Sequence, residues 1–322
     1  MLPLRLTSSA GLLLLALGIT VYGIGAWHHG LPWSGSRAAS RDTLWAFLLA
    51  LALVALLSRI TGRFDARRGF ALALAGAWLA AGGVMEILGP LAVLAGGAVV
   101  ATWLPAAGLP VLVRVIAGLG VMAALAGWLL PFPVHFQLAW VALLVAGIAW
   151  RRQALRGLWH AFRRDMHEAL HDGGAALWLL APLLLVVLAP SLMPRLGPDD
   201  LAYHLMIPGE LLAFGHSRLD AATQAWMFAP WSLDLLHGLA WLFAGAKPTT
   251  AGMNVFWLLA SCLICARIAR EQGLGPGASW LAAAIFASVP LVSHLSGSLQ
   301  VESASPAILG ALYLAVSRAG QP

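Results

Sequence analysis

A-A-L-W-L-L-A-P-L-L-L-V-V-L-A-P-S-L, residues Ala175 to Leu192, runs for eighteen positions without a charge. Such a run is long enough to cross the hydrocarbon layer of a bilayer, which takes roughly 17 to 25 residues. Leu44 to Leu57 is another continuous apolar run. A β-barrel would alternate apolar and polar residues instead. The whole chain is 61% hydrophobic, only 10% charged, and has a mean hydropathy of +0.85. Soluble domains carry about a quarter charged residues. The expected fold class is therefore all-α: a polytopic helical membrane protein.

Ten stretches read as spans: Ser9–Trp27, Thr43–Ser58, Gly69–Leu88, Leu91–Leu104, Val111–Leu130, Val134–Trp150, Gly174–Met193, Thr249–Ala266, Ala278–Leu295 and Ser305–Ser317. The first follows Arg5 as a signal peptide would. No clean small-x-small cleavage site comes after it, so an uncleaved anchor is expected. The segment Trp231 to Gly245 is apolar but short, and it carries Asp234 and His237. It reads as an amphipathic helix lying on the outer interface.

Charge sets the orientation. The net charge of +6 comes mostly from arginine. In a chain this apolar, basic loops serve topology and anionic lipid rather than nucleic acid. Arg59, Arg63, Arg67 and Arg68 form one basic turn, and Arg151, Arg152, Arg156, Arg163 and Arg164 form another. Placing both in the cytoplasm, with the N-terminus inside, sends the loop from about Pro194 to Pro248 to the extracytoplasmic side. Arg267 and Arg270 then end a span inside, and Glu302 returns outside. The organisation is expected to be a six-span region (1–150), a basic cytoplasmic linker helix (151–173) and a third section (174–322) holding the long outer loop. The only cysteines, Cys262 and Cys265, sit within an apolar helix and read as small core residues, since redox or zinc chemistry needs a polar setting.

Directly after the opening run comes P-D-D-L-A-Y-H-L-M-I-P-G-E-L-L-A-F-G, Pro198 to Gly215. Paired carboxylates at the mouth of a membrane helix usually mark function. The outer side collects Asp199, Asp200, Tyr203, His204, Glu210, His216, Arg218, Asp220 and Glu302. A carboxylate at a membrane surface can deprotonate an attacking hydroxyl. Carboxylate pairs also suit a divalent metal. Asp200 and His204, one helical turn apart, are the candidate ligands. Plainer roles fit the same residues. Asp199 after Pro198 suits a helix N-cap, Glu302 suits the start of the last helix, and Glu86 suits helix pairing.

The segment Asp199-Asp-Leu-Ala-Tyr-His-Leu205, with Pro208 and Gly215, resembles the first outer-loop motif of membrane glycosyltransferases of the GT-C fold. It is most similar to the bacterial branch related to protein mannosyltransferases and lipid A aminoarabinose transferases. Phe228-Ala-Pro-Trp231, the helix Ser232–Gly245, the basic end Ala266-Arg-Ile-Ala-Arg270 and Val301-Glu302 follow in the family's order. The resemblance spans roughly residues 174 to 318. It implies inverting transfer of a sugar from a polyprenyl-phosphate donor to an envelope acceptor, on the outer face of a bacterial-type inner membrane. It implies Asp199 as the base, with Asp200 the alternative, and Glu302 as the second acid. Tyr203 and His204 would shape the pocket, and Glu210 and Arg218 are read as further substrate-binding groups. The family often has Asp where this chain has Glu302. Its members continue with further spans, so a truncated relative is expected. The alternatives are a transporter or flippase of a lipid-linked saccharide, or a catalytically silent membrane partner in envelope glycan assembly.

Overall fold

The computed structural model describes residues 37–62, 64–105, 108–171, 173–194, 197–217, 220, 222, 232–245 and 250–319. The expected anchor Ser9–Trp27, Arg63, Arg218 and Phe228–Trp231 lie outside the described residues, as does the side chain of Tyr203. Among the described residues all regular structure is helical. The helices are α1 (Arg37–Ile60), α2 (Ala66–Ala101), α3 (Val111–Trp128), α4 (Gln137–His171), α5 (Gly174–Leu192), α6 (Met206–Phe214), α7 (Ser232–Ala244), α8 (Gly252–Glu271), α9 (Pro276–Ala287), α10 (Pro290–Ser296) and α11 (Ser305–Ala319). A π-helical turn (Asp200–His204) precedes α6, and a 3₁₀ turn (Val301–Ala304) precedes α11. Six helices are long and apolar enough to cross a membrane, or seven if the bent pair α9–α10 is one span. The chain is a multi-pass helical membrane protein. Side chains such as Leu49 and Leu143 are exposed on the outside of the bundle, where lipid tails take the place of a protein core.

Gly83 decides the course of α2. As one straight rod, 36 residues would extend about 54 Å. Instead its two ends meet α4 at points nineteen residues, or about 28 Å of helix, apart. Arg67 reaches the Leu170 carbonyl at 3.5 Å, while the carbonyl of Thr102, directly after the other end, accepts from Arg151 at 2.8 Å. The break lies at Gly83, with φ 77° and ψ −175°, a conformation almost confined to glycine. Residues 66–82 and 84–101 are thus two arms. The break falls within the expected span Gly69–Leu88 rather than between it and Leu91–Leu104, and Glu86 sits three residues past it.

Small residues let the arms pack. A Cβ on Gly118 of α3 would meet the Gly97 carbonyl of α2 at 2.1 Å, and one on Gly89 would meet the Ala240 carbonyl of α7 at 2.4 Å. Backbones approach this closely only through glycine. The second contact bears on α7, expected to lie flat on the interface. Every residue from Asp234 to Leu242 is buried, and α7 packs against α2, α3 and α6. Leu235, Leu236, Leu239 and Leu242 share one face of this helix, and the Asp234–His237 side is buried as well because Asp234 finds a partner in His204.

The bundle has two distinct ends. At one, arginines bind backbone carbonyls: Arg114 to Ala101 (3.3 Å), Arg151 to Thr102 (2.8 Å), and Arg270 to Glu168 (2.9 Å) and Ala169 (2.7 Å). At the other, Ala251 donates to Ser191 (2.8 Å), His135 to Gly215 (2.9 Å) and Ser217 to Leu130 (2.9 Å). There the chain also bends by 69° between α9 and α10. Pro290 forces Val289 into an extended conformation, φ −64° and ψ 125°.

Gly83→Ala should destabilise the bundle by about 1–3 kcal/mol, the cost of a side chain in such a backbone conformation. Gly76→Ala, in open space within a regular arm, should be neutral or slightly stabilising. Unfolding temperature in detergent would separate the two.

Candidate functional site

The adjacent carboxylates of Pro198–Gly215 part company in three dimensions. Successive residues of a helical turn point about 100° apart, so only one of the two can face inward. Asp200 does, and is 1% exposed. One of its oxygens accepts from Gly197 N at 2.7 Å, and the other from Leu299 N at 3.0 Å. The second bond joins residues 99 positions apart. It holds the π-helical turn against the start of the segment that carries Glu302, three residues on. Asp199 and Glu302 are both exposed at this end.

A buried polar group lies beneath. His204 Nδ1 pairs with Asp234 Oδ1 at 2.8 Å, and both side chains are almost fully buried. One turn along α7, His237 is buried as well. Asn254 of α8 donates to the carbonyls of Leu295 (3.1 Å) and Ser298 (2.6 Å) and accepts from Ser303 (2.8 Å). It therefore fixes both flanks of the segment that Asp200 holds. Glu86, at the turn of the α2 arms, accepts from the Thr250 amide at 3.2 Å and hydroxyl at 2.7 Å, and Trp78 donates to that hydroxyl.

Charge within this group is unevenly tolerated. Burial alone would lower the His204 pKa, but the bond to Asp234 and the nearby charges of Asp234, Glu302 and Asp200 hold it above the ordinary imidazole value. Burial pushes Asp234 up to about 6, aided by repulsion from Glu302 and Asp200 and opposed by His204. Burial, and then the His204 charge, pushes His237 down to about 4, while Asn254 opposes the shift. The upper imidazole is tuned to hold a proton and the lower one to stay neutral. This is the divided environment that acid–base sites use.

The expected site residues fare unequally. Asp199, Asp200, His204 and Glu302 share one end of the molecule. Asp200 is bound into the backbone rather than open to a substrate. Glu210 accepts a short hydrogen bond from the Ser217 hydroxyl, fastening the turn after α6, whose Gly215 has φ 69°. Of the candidate metal pair, Asp200 has both oxygens engaged by backbone amides and His204 has Nδ1 engaged by Asp234. Among the described residues no group of three His, Cys, Asp or Glu side chains could hold a metal ion. Sequence reasoning did not place Asp234, His237 or Asn254 in the site. A detectable signal existed for the first two, because a carboxylate and an imidazole three residues apart in an otherwise apolar helix seldom lack purpose. No family model, curated protein or solved structure matches the chain.

Asp200→Ala should leave the buried Leu299 amide and the part-buried Gly197 amide unpaired and cost about 2–5 kcal/mol, whereas Asp199→Asn, at an exposed position, should leave the unfolding temperature unchanged. The pH dependence follows from the shifts. A raised His204 pKa gives stability that is complete below its ordinary 6.5 and fades as pH rises through the folded value. Asp234, raised from 3.8, acts in the same direction up to about pH 6, while His237, lowered from 6.5, loses stability as pH falls toward 4. Unfolding temperature should therefore decline above about pH 6.5, and Asp234→Asn should flatten that decline.

Proposed function

We propose that the protein is a membrane glycosyltransferase of GT-C type. It transfers a sugar from a polyprenyl-phosphate donor to an envelope acceptor at the carboxylate end of the bundle. One observation carries the reading. The hydrogen bond from Leu299 to Asp200 draws the Asp199 turn and the Glu302 turn, far apart in sequence, to one rim. In this reading Asp199 is the base and Asp200 its structural support. The Asp199 carboxylate takes the proton of an acceptor hydroxyl. The freed oxygen attacks the anomeric carbon, the bond from that carbon to the phosphate oxygen breaks, and polyprenyl phosphate leaves with inversion. Glu302 faces the donor side, and the His204–Asp234 pair steadies the floor.

Counting the two α2 arms, the bent pair and α11 gives nine spans among the described residues. With the N-terminus inside, as the basic loops direct, the arginine end lies in the cytoplasm and the site faces outward from a bacterial-type inner membrane. The positive-inside rule supports this sidedness. A second reading, transport of a lipid-linked saccharide, draws on a different observation. Two helical runs are interrupted, at Gly83 and between α9 and α10, and interrupted helices mark transporter sites.

Asp199→Asn and Glu302→Gln, in proteoliposomes supplied with polyprenyl-phosphate sugar, should each lower transfer by about 10²-fold or more, the weight of a general base. Transfer at the wild-type rate would overturn the assignment, and sugar flux without transfer would favour the transporter. A cysteine at exposed Ala222 should react with an impermeant maleimide added outside.

A further inference from the structure

The arginine end holds a cavity of about 300 Å³, where the start of α3, the later half of α4 and the ends of α8 and α11 meet. Four guanidiniums line it, from Arg114, Arg164, Arg267 and Arg318, with the carboxylates of Asp165 and Glu168. Phe162, Ile264 and Leu314 make the rest of its wall apolar.

The four cations are not equally engaged. Arg318 donates to the Gly108 carbonyl and, at 2.6 Å, to Glu271. Arg267 also donates to Glu271, at 3.2 Å. One carboxylate thus serves two arginines. Arg114 gives one nitrogen to the Ala101 carbonyl at 3.3 Å, while its buried Nε has no hydrogen-bond partner among the described residues. An unfilled buried donor on a charged group is costly. Arg164 projects from exposed helix without a carboxylate partner among the described residues. Asp165 does not redress the balance, since it accepts from Val111 N at the start of α3.

We propose that this cavity binds the phosphate head of an anionic lipid. Arg114 and Arg164 would grip the phosphate oxygens, and an acyl chain would follow the Phe162–Leu314 wall. Three features point to that chemistry. Guanidinium forks match phosphate geometry. The apolar wall suits an acyl chain. Basic pockets between the cytoplasmic ends of membrane helices are suited to lipid headgroups. The inference is independent of the chemistry proposed at the opposite end, because no residue is shared between the two.

The experiment uses the full chain in phosphatidylcholine nanodiscs doped with phosphatidic acid or with diacylglycerol, which lacks the phosphate. Lipid retained after detergent extraction is read by native mass spectrometry. Phosphatidic acid should be retained over diacylglycerol. Arg164→Gln and Arg114→Gln should each reduce that retention about tenfold, the loss of one charge-assisted contact. Arg114→Lys, which keeps the charge, should lose less. Unfolding temperatures measured without added lipid check the fold, and Arg164 is exposed enough for its variant to remain folded. Equal retention of the two lipids, or retention unchanged in Arg164→Gln, would overturn the proposal. Displacement of phosphatidic acid by millimolar inorganic phosphate would also overturn it, by assigning the site to a soluble phosphate compound.

Discussion

The hydrogen bonds of Asp200 are the constraint on which the carboxylate end depends. A buried carboxylate is tolerable only when its oxygens are filled, and here two backbone amides fill them. Amides do not leave when a substrate arrives, so the arrangement is permanent. Everything above it inherits that permanence. The π-helical turn is fixed to the segment before α11, His204 is directed into the bundle, and Asp199 is left on the rim. Asn254 repeats the device from below, tying the carbonyls of Leu295 and Ser298 to α8. A loop otherwise free to wander is held at both flanks.

The interior beneath this clamp is unusually polar for a membrane bundle. Asp234, His237, Glu86 and Thr250 are all buried within an apolar surround. In lipid each such group must be satisfied inside the protein. Their presence explains why α7 is drawn inward rather than left on the surface. Its leucine face packs into the core, and its one carboxylate finds the His204 imidazole at 2.8 Å. Helix burial and ion pairing thus reinforce one another.

The two ends of the molecule divide the labour of charge. At the arginine end, guanidiniums cap helix carbonyls left open where helices stop, and the long basic helix α4 spreads across several of them. At the carboxylate end, backbone amides are answered by acids. This polarity suits a protein inserted in one direction.

By itself the sequence determined the class of the molecule. Unbroken apolar runs such as Ala175–Leu192 have no stable place except a helix crossing lipid. It also marked Pro198–Gly215 as the stretch of interest, because charge there is costly. It located Glu86 and Glu302 near the helix turns where they lie. The tertiary structure alone decided which of two neighbouring aspartates faces inward, because that depends on an amide 99 residues away. It alone decided that α7 is buried and that Asp234 and His237 join the site, since a short apolar helix with a polar pair reads the same at an interface as in a core. Local pattern fixes what a segment can be, but the partner that satisfies a buried charge comes from elsewhere in the chain, and only the folded bundle brings it there.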